Sequence, residues 1–427
     1  MLWVFIVFLI LLFLGVPVAI SCGLAGVIYF LINSDMLFNQ VISITFSSIQ
    51  SVSLLAIPMF ILAGNLMNAS GITHRLLGFC GMLTRRMHGG MAQTSVLLST
   101  FMGGVSGSSV ADAAMESRIL GPNMIKHGYS RGYTGAVIGF TSLITSTIPP
   151  GNNLILYGTS GEVSIGRLFT AGLSAGLLMM IIMMVAVAIT SRFKGYKPVS
   201  RQRIRIMEVL QGIVSNIWAL LFPVILLVGI RLGWFAASEV GAFACVYALF
   251  CGFIAYRELG WKQLGRVLLD SVMDIAAIVF LIALTGPFGY GVAIDHLPQT
   301  LTKWMLELTS SPFVIQMIIV LVLLVMGCFM EGGAVILILT PILLPMVTSV
   351  GVDPVFFGIV VATTCVIGIL TPPVGLGMYI VTNILDISLK EWIKESAPFF
   401  IAVCLYMVAI IAFPDSVMWL PKLVYGS

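Results

Sequence analysis

Charged residues are scarce. Asp, Glu, Lys and Arg make up 9% of the 427 residues, against 59% hydrophobic. A soluble domain carries about 25% charged residues, so the bilayer is the solvent for most of this chain. Histidine is scarcer still: His74, His88, His127 and His296 form no H-E-x-x-H arrangement, which removes the usual metalloprotease reading. None lies at the centre of an apolar span, so Gly107-Ser108 lacks the base an intramembrane serine hydrolase needs. Gly-x-x-x-x-Gly-Lys is missing, and with it an ATPase of its own. The seven cysteines, Cys22, Cys80, Cys245, Cys251, Cys328, Cys365 and Cys404, are odd in number and contain no Cys-x-x-Cys. They read as small packing residues, with neither a disulfide framework nor a metal site. The expectation is a non-enzyme with no catalytic residue and no cofactor. If it transports actively, an ion gradient supplies the energy.

What is present is long apolar sequence. There is room for roughly ten to twelve spans of about 20 residues. Apolar segments run over about 2–32, 51–69, 92–120, 133–160 and 168–190, then 212–231, 236–256, 271–294, 313–345, 355–385 and 397–413. The run from Leu2 to Ile32 is too long for a signal-peptide core and reads as a retained membrane helix, kinked at Pro17. Between the halves, Arg192, Lys194, Lys197, Arg201, Arg203 and Arg205 crowd one connector. The positive-inside rule reads it as a cytoplasmic loop. A helix lying on anionic membrane lipid is compatible with that, and a nucleic-acid patch is not expected.

The halves can be overlaid. Pro149-Pro150 precedes Pro372-Pro373 by 223 positions, and Pro122 precedes Pro345 by 223. Met102-Gly103 precedes Met326-Gly327 by 224, and Phe60, Ala63 and Gly71 precede Phe280, Ala283 and Gly291 by 220. A shared offset argues for an internal duplication, residues 1–210 against 211–427.

Each half holds two interrupted segments. The helix over 133–147 would be roughly 22 Å long, short of a 30 Å core, and breaks at Pro149-Pro150-Gly151. The segment 355–370 does the same before Pro372-Pro373. Upstream lie Gly103 to Ser109 and Gly327 to Gly333, each flanked by apolar residues, which predict re-entrant hairpins turning on glycine. A continuous helix with a Gly-x-x-x-Gly packing face is the alternative. Main chain opened at bilayer depth must be sheltered from lipid. Its carbonyls, with nearby hydroxyls, suit sodium. One predicted sodium site takes Ser106, Ser108, Ser109, Thr147, Pro149 and Gly151; its twin takes Gly327, Gly332, Gly333, Thr371, Pro373 and Gly375. Helix N-termini at the breaks favour an anionic substrate, with Ser106, Ser146, Asn152, Asn153, Glu331 and Thr371 as candidate contacts.

Glu331 is the most telling charge, since a mid-membrane carboxylate costs roughly 3 kcal/mol. It either serves substrate, ion or tip, or is a structural carboxylate paired with the amides of its own turn. Asp112 and Glu116 stand one helical turn apart with Arg118 close by, a spacing that reads equally as local charge pairing. Lys126, His127 and Arg131 read as a solvated connector.

These features together resemble the large membrane subunit of the TRAP (tripartite ATP-independent periplasmic) transporters. The matching residues are Ala56 to Gly64, Gly103 to Ser109, Pro149-Pro150-Gly151, Glu331 with Thr340-Pro341, and Thr371 to Gly375. The resemblance covers nearly the whole chain; the family often has Asp where Glu331 stands. It implies an all-α polytopic protein of two inverted repeats in a bacterial inner membrane. An elevator-type transport domain, about 72–170 and 290–395, would slide against a scaffold of the remaining helices. It further implies sodium-coupled uptake of an organic acid, delivered by a periplasmic binding protein, with a small four-helix membrane subunit as partner. The Ser, Thr and Asn of the first half favour an acidic sugar such as sialic acid. A stand-alone divalent-anion/sodium symporter is the nearer alternative, and an intramembrane hydrolase the distant one.

Overall fold

The computed structural model describes residues 2–32, 39–50, 52–200, 202, 205–232, 234–235, 237–372 and 374–426, and among these it contains helices and no strand. The first half holds α1 Leu2–Phe13, α2 Val18–Ile32, α3 Asn39–Ser47, α4 Ala56–Ala69, α5 Ile72–Thr84, α6 Gly90–Gly103, α7 Ser109–Lys126, α8 Arg131–Thr147, α9 Asn152–Ser160 and α10 Ile165–Phe193. After the connector come α11 Ile206–Ser215, α12 Ile217–Arg231, α13 Ala237–Phe250, α14 Trp261–Ile294, α15 Leu297–Leu308, α16 Pro312–Phe329, α17 Gly332–Ser349, α18 Pro354–Gly368, α19 Leu376–Leu385, α20 Leu389–Ala412 and α21 Asp415–Tyr425. Among the described residues, α10, α14, α16, α17 and α20 are each long and apolar enough to cross a membrane. The pairs α4/α5 and α11/α12, bent by 67° and 70°, bring the possible crossings to seven.

One expectation needs correcting. Leu2 to Ile32 is not a single kinked helix. The chain breaks over Leu14 to Pro17, where Gly15 takes φ +83°, and α1 packs alongside α2. Proline has no N–H for the helical ladder and glycine alone tolerates positive φ cheaply, so the pair ends one helix and turns into the next. The short polar-faced helices α3, α5, α11, α15 and α21 also escaped a reading based on apolar runs.

Two packing groups emerge. In one, α2 packs on α14 and α4 on α13 and α14. Gly26 lies against the Pro287–Phe288 backbone, and Gly291 against the Tyr29 ring, the close approach that small residues allow between membrane helices. The other group centres on α8, covered by α6, α7, α10, α18 and α20. Gly135 and Gly139 open a groove on α8 that the fully buried Trp392 of α20 fills. Contacts of α14 and α15 with α17, and of α4 with α9, join the groups.

Candidate functional site: two tips and two broken helices

The breaks stand where the prolines demand them. α8 ends at Thr147, Pro149-Pro150 cannot continue its ladder, and α9 restarts at Asn152 with Gly151 as its cap. α18 ends at Gly368 and α19 restarts at Leu376, with Gly375 at φ +32°. Residues 132–151 and 355–370 are buried throughout. The opened main chain is therefore packed in protein, as its polar groups require.

Each break is tied to a helix–turn–helix tip in the same way. The Asn152 N–H donates to the Gly107 carbonyl at 3.3 Å, and the Gly375 N–H to the Cys328 carbonyl at 3.0 Å. The first tip is the α6–α7 turn, the second the α16–α17 turn. Gly103 abuts Ile148 and the Thr145 carbonyl, while Gly327 abuts the Cys365 carbonyl and the Cα of Gly368. Thr147 and Thr371 each donate a hydroxyl to the carbonyl four residues back, both at 2.9 Å, leaving oxygen lone pairs free. The two sets of contacts pair residues 220 to 224 positions apart, the range of offsets seen in the sequence.

The tips and breaks meet around a cleft of about 40 Å³ lined by Gly107, Ser108, Ser109, Val110, Ser146, Asn152, Asn153, Glu331, Gly332, Val366 and Ile369. Both halves contribute: a Cβ on Gly332 would lie 3.2 Å from Asn153 Nδ2. That volume is room for a water or a bare ion, so an organic cargo needs the tips to part. Ser108 caps α7, accepting from the Ala111 N–H. The Ser146 hydroxyl donates to the Leu143 carbonyl at 3.2 Å.

Other predicted residues sit behind this cleft. Ser106 is buried, and its carbonyl packs on Gly64 of α4. Thr147, Pro149 and Gly151 form the first break itself. Gly333 follows Gly332 in α17 and packs on Leu156. The Thr371 and Pro372 carbonyls accept from the Cys328 thiol at 3.0 and 3.1 Å. Pro373 lies outside the described residues, as do Arg201 and Arg203 of the basic connector. Glu331 stands at the N-terminus of α17, exposed, with no side-chain hydrogen bond to that helix. The alternative in which its own turn's amides hold it is therefore wrong: the chain enters α17 with the carboxylate turned off the amides.

One polar cluster differs from the expected local charge pairing. Asp112 and Glu116 are fully buried, while Arg118 is exposed and makes no ion pair with either among the described residues. Local charge pairing is replaced by hydroxyls. Thr145 donates to Asp112 at 2.6 Å. Glu116 accepts from Ser95 and, at 3.0 Å, from Ser99. The Ser95 and Thr141 hydroxyls bond each other at 2.7 Å. The cluster joins both arms of the first tip to the helix that breaks beneath it. Its signal was legible as three polar pairs spaced i, i+4: Ser95/Ser99, Asp112/Glu116 and Thr141/Thr145.

An all-helical chain with doubled tips and broken helices, closing on a polar cleft shared by its halves, defines a polytopic membrane transporter. The chain belongs to the family described as "Tripartite ATP-independent periplasmic transporter, DctM component", which it matches over residues 5–416. It is 32% identical over 416 residues to the sialic acid TRAP transporter large permease protein SiaM of Vibrio cholerae, covering 97% of each chain. Against the 2,3-diketo-L-gulonate TRAP transporter large permease protein YiaN of Escherichia coli it is 32% identical, covering 95% of each. It is 34% identical to the isethionate TRAP transporter permease protein DctMQ of Oleidesulfovibrio alaskensis, with 92% of this chain aligned to 61% of that longer protein. In fold it is similar to the Alcanivorax borkumensis YdaH transporter, described as having an unusual topology, with a TM-score of 0.63 at 13% identity over 90% of this chain and 89% of that one.

Proposed function

We propose that this chain is the membrane-embedded large subunit of a sodium-coupled importer for an organic acid in a bacterial inner membrane. The observation that carries the reading is the pair of sheltered breaks, each hydrogen-bonded to its own tip and both facing one cleft. Free carbonyl lone pairs and threonine hydroxyl oxygens at two repeat-related places are the donor set a hard monovalent cation takes in a dry setting. Ser106, Ser108, Ser109, Thr147, Pro149 and Gly151 form one sodium site in this reading. Gly327, Gly332, Gly333, Thr371, Pro373 and Gly375 form the other. The N-terminus of α9 and the Ser146, Asn152 and Asn153 side chains offer donors to an acid group, with Ser106, Glu331 and Thr371 nearby.

Tips and breaks, about 72–170 and 290–395, move as one body against the scaffold, carrying the loaded cleft across the membrane. The packing supports one body built on α8, since the helices around it adhere to one another more extensively than to the α2–α4–α13–α14 group, and it adds α10 and α20, which lie largely outside those two ranges, to that body. Relatives named for sialic acid, a diketo sugar acid and isethionate support an acidic cargo. The DctMQ name and the family description support a periplasmic binding protein and a small membrane subunit as partners.

Reconstitution with both partners in liposomes tests the reading. Uptake should collapse when the inward sodium gradient is removed. Uptake that ignores sodium would refute the coupling. Uptake without the binding protein would favour a stand-alone symporter.

A further inference from the structure

The carboxylate of Glu331 has no hydrogen bond and no ion pair among the described residues, although it lines the cleft at the start of α17. The rest of the polar lining consists of Ser108, Ser109, Ser146, Asn152 and Asn153, and no lysine, arginine or histidine lines the cleft. An ionised carboxylate is acceptor-only, so a second carboxylate placed beside it would meet repulsion with no protein cation between them.

The geometry points to a cargo that is not a simple acid but presents an N–H or O–H donor to Glu331, as a hydroxy acid or an amino acid-like zwitterion does. The inference rests on the organic-acid reading above and adds the cargo's polarity. The acid group lies towards the first break, where hydroxyls, amides and the α9 N-terminus donate. The donor group lies towards the second tip, where Glu331 accepts. A site built to bond a substrate hydroxyl or amine strongly rejects the analogue lacking it, because its own polar group is then left unpaired. Simple diacids should be poor cargo for the same reason.

The test uses the full chain purified in detergent with sodium, melted against three matched sets: ethanesulfonate, isethionate and taurine; propionate, lactate and alanine; succinate, malate and aspartate. In any set that binds, the hydroxyl- or ammonium-bearing member should bind at least about tenfold tighter than its parent acid, the scale of one hydrogen bond to a charged group. Hydroxyl against ammonium preference then identifies the donor. Glu331→Asp should keep the preference. Glu331→Gln should reduce it to within about threefold while sodium still stabilises the protein. Equal binding of parent and donor-bearing acids, or a full preference surviving in Glu331→Gln, overturns the inference and leaves the organic-acid reading standing. If no acid of any set shifts the melting, the inference falls, and the liposome uptake assay above decides the organic-acid reading separately. Should Glu331→Gln fail to fold, the sets measured on the native chain still decide between these outcomes.

Discussion

Gly107 is the place where the proposed ion cage can be opened with one methyl group. Its φ is +60°, and an added Cβ would sit 2.0 Å from the Pro150 carbonyl oxygen. Two costs follow from Gly107→Ala. The left-handed conformation costs an alanine roughly 1–2 kcal/mol. Real Cβ contacts essentially never fall under 3.0 Å, so tip and break must separate by at least 3.0 − 2.0 = 1.0 Å. The obstructing atom is backbone, so no side-chain rotation relieves it. Functional constellations tolerate displacements of only about 0.5 Å. The same shift stretches the Asn152 to Gly107 hydrogen bond, already 3.3 Å long, past useful length.

Gly107→Ala should therefore lower stability by about 2–4 kcal/mol and weaken apparent sodium affinity at least tenfold, which corresponds to about 1.4 kcal/mol. The assay is the shift in melting temperature across a sodium titration in detergent, with sodium-driven uptake in liposomes alongside. Gly78→Ala is the control, since a Cβ there meets nothing within 4 Å and alanine is the better helix former by about 1 kcal/mol. A Gly107→Ala protein with native melting and an unchanged sodium response would refute the idea that this tip and this break share the cation.

Gly368→Ala would place a Cβ 2.7 Å from the Gly327 Cα; it should force α16 and α18 apart and lower melting, while uptake drops more than expression. Thr371→Ala and Ser106→Ala should each weaken sodium dependence, and an unchanged sodium titration in both would move the ion sites elsewhere. Glu116→Leu leaves the Ser95 and Ser99 donors without their acceptor and should cost about 2–5 kcal/mol in a thermal or denaturant assay. Glu116→Gln, which keeps an acceptor, should cost less. The Lys194 to Glu395 ion pair at 2.6 Å is partly exposed, and Lys194→Ala should change stability by under about 1 kcal/mol.

The double-proline breaks were legible because proline acts locally: it removes a donor whatever surrounds it, and the observed helix ends fall within two residues of the expected ones. The tips were legible for a related reason, glycine being the residue that turns or approaches backbone closely. The hidden features depend on contacts distant in sequence. The i, i+4 spacing marks Asp112/Glu116 and Ser95/Ser99 as polar faces, but not that the two meet across twenty-one residues. Gly15 and Pro17 mark an interruption, but whether α1 kinks or folds back on α2 is set by the packing between them. Arg118 misled because sequence proximity stood in for direction: two positions beyond Glu116 on a helix it points away, out of the buried face.

The buried cluster also bears on how the cleft can open. Three hydroxyls hold Asp112 and Glu116 against α6 and α8, so both arms of the first tip are tied to the broken helix below. Among the described residues the second tip has no equivalent carboxylate clamp: its links to the second break are the Gly375 to Cys328 hydrogen bond and the Cys328 thiol contacts, with Gly327 against Gly368 behind them. Thiol donors are weak, so this tip is the more easily parted. A cleft of about 40 Å³ must widen to accept an acid, and the softer of two similar hinges gives first. Cysteines placed at Ser108 and Gly332, both lining the cleft, should then cross-link readily in the unloaded protein and block uptake. A cysteine pair at Ser108 and Asn152, spanning the clamped first tip and its break, should leave any remaining movement of the second tip intact. Equal loss of cargo access from both cross-links would show that the tips open together, and the difference in their anchoring would carry no mechanical meaning.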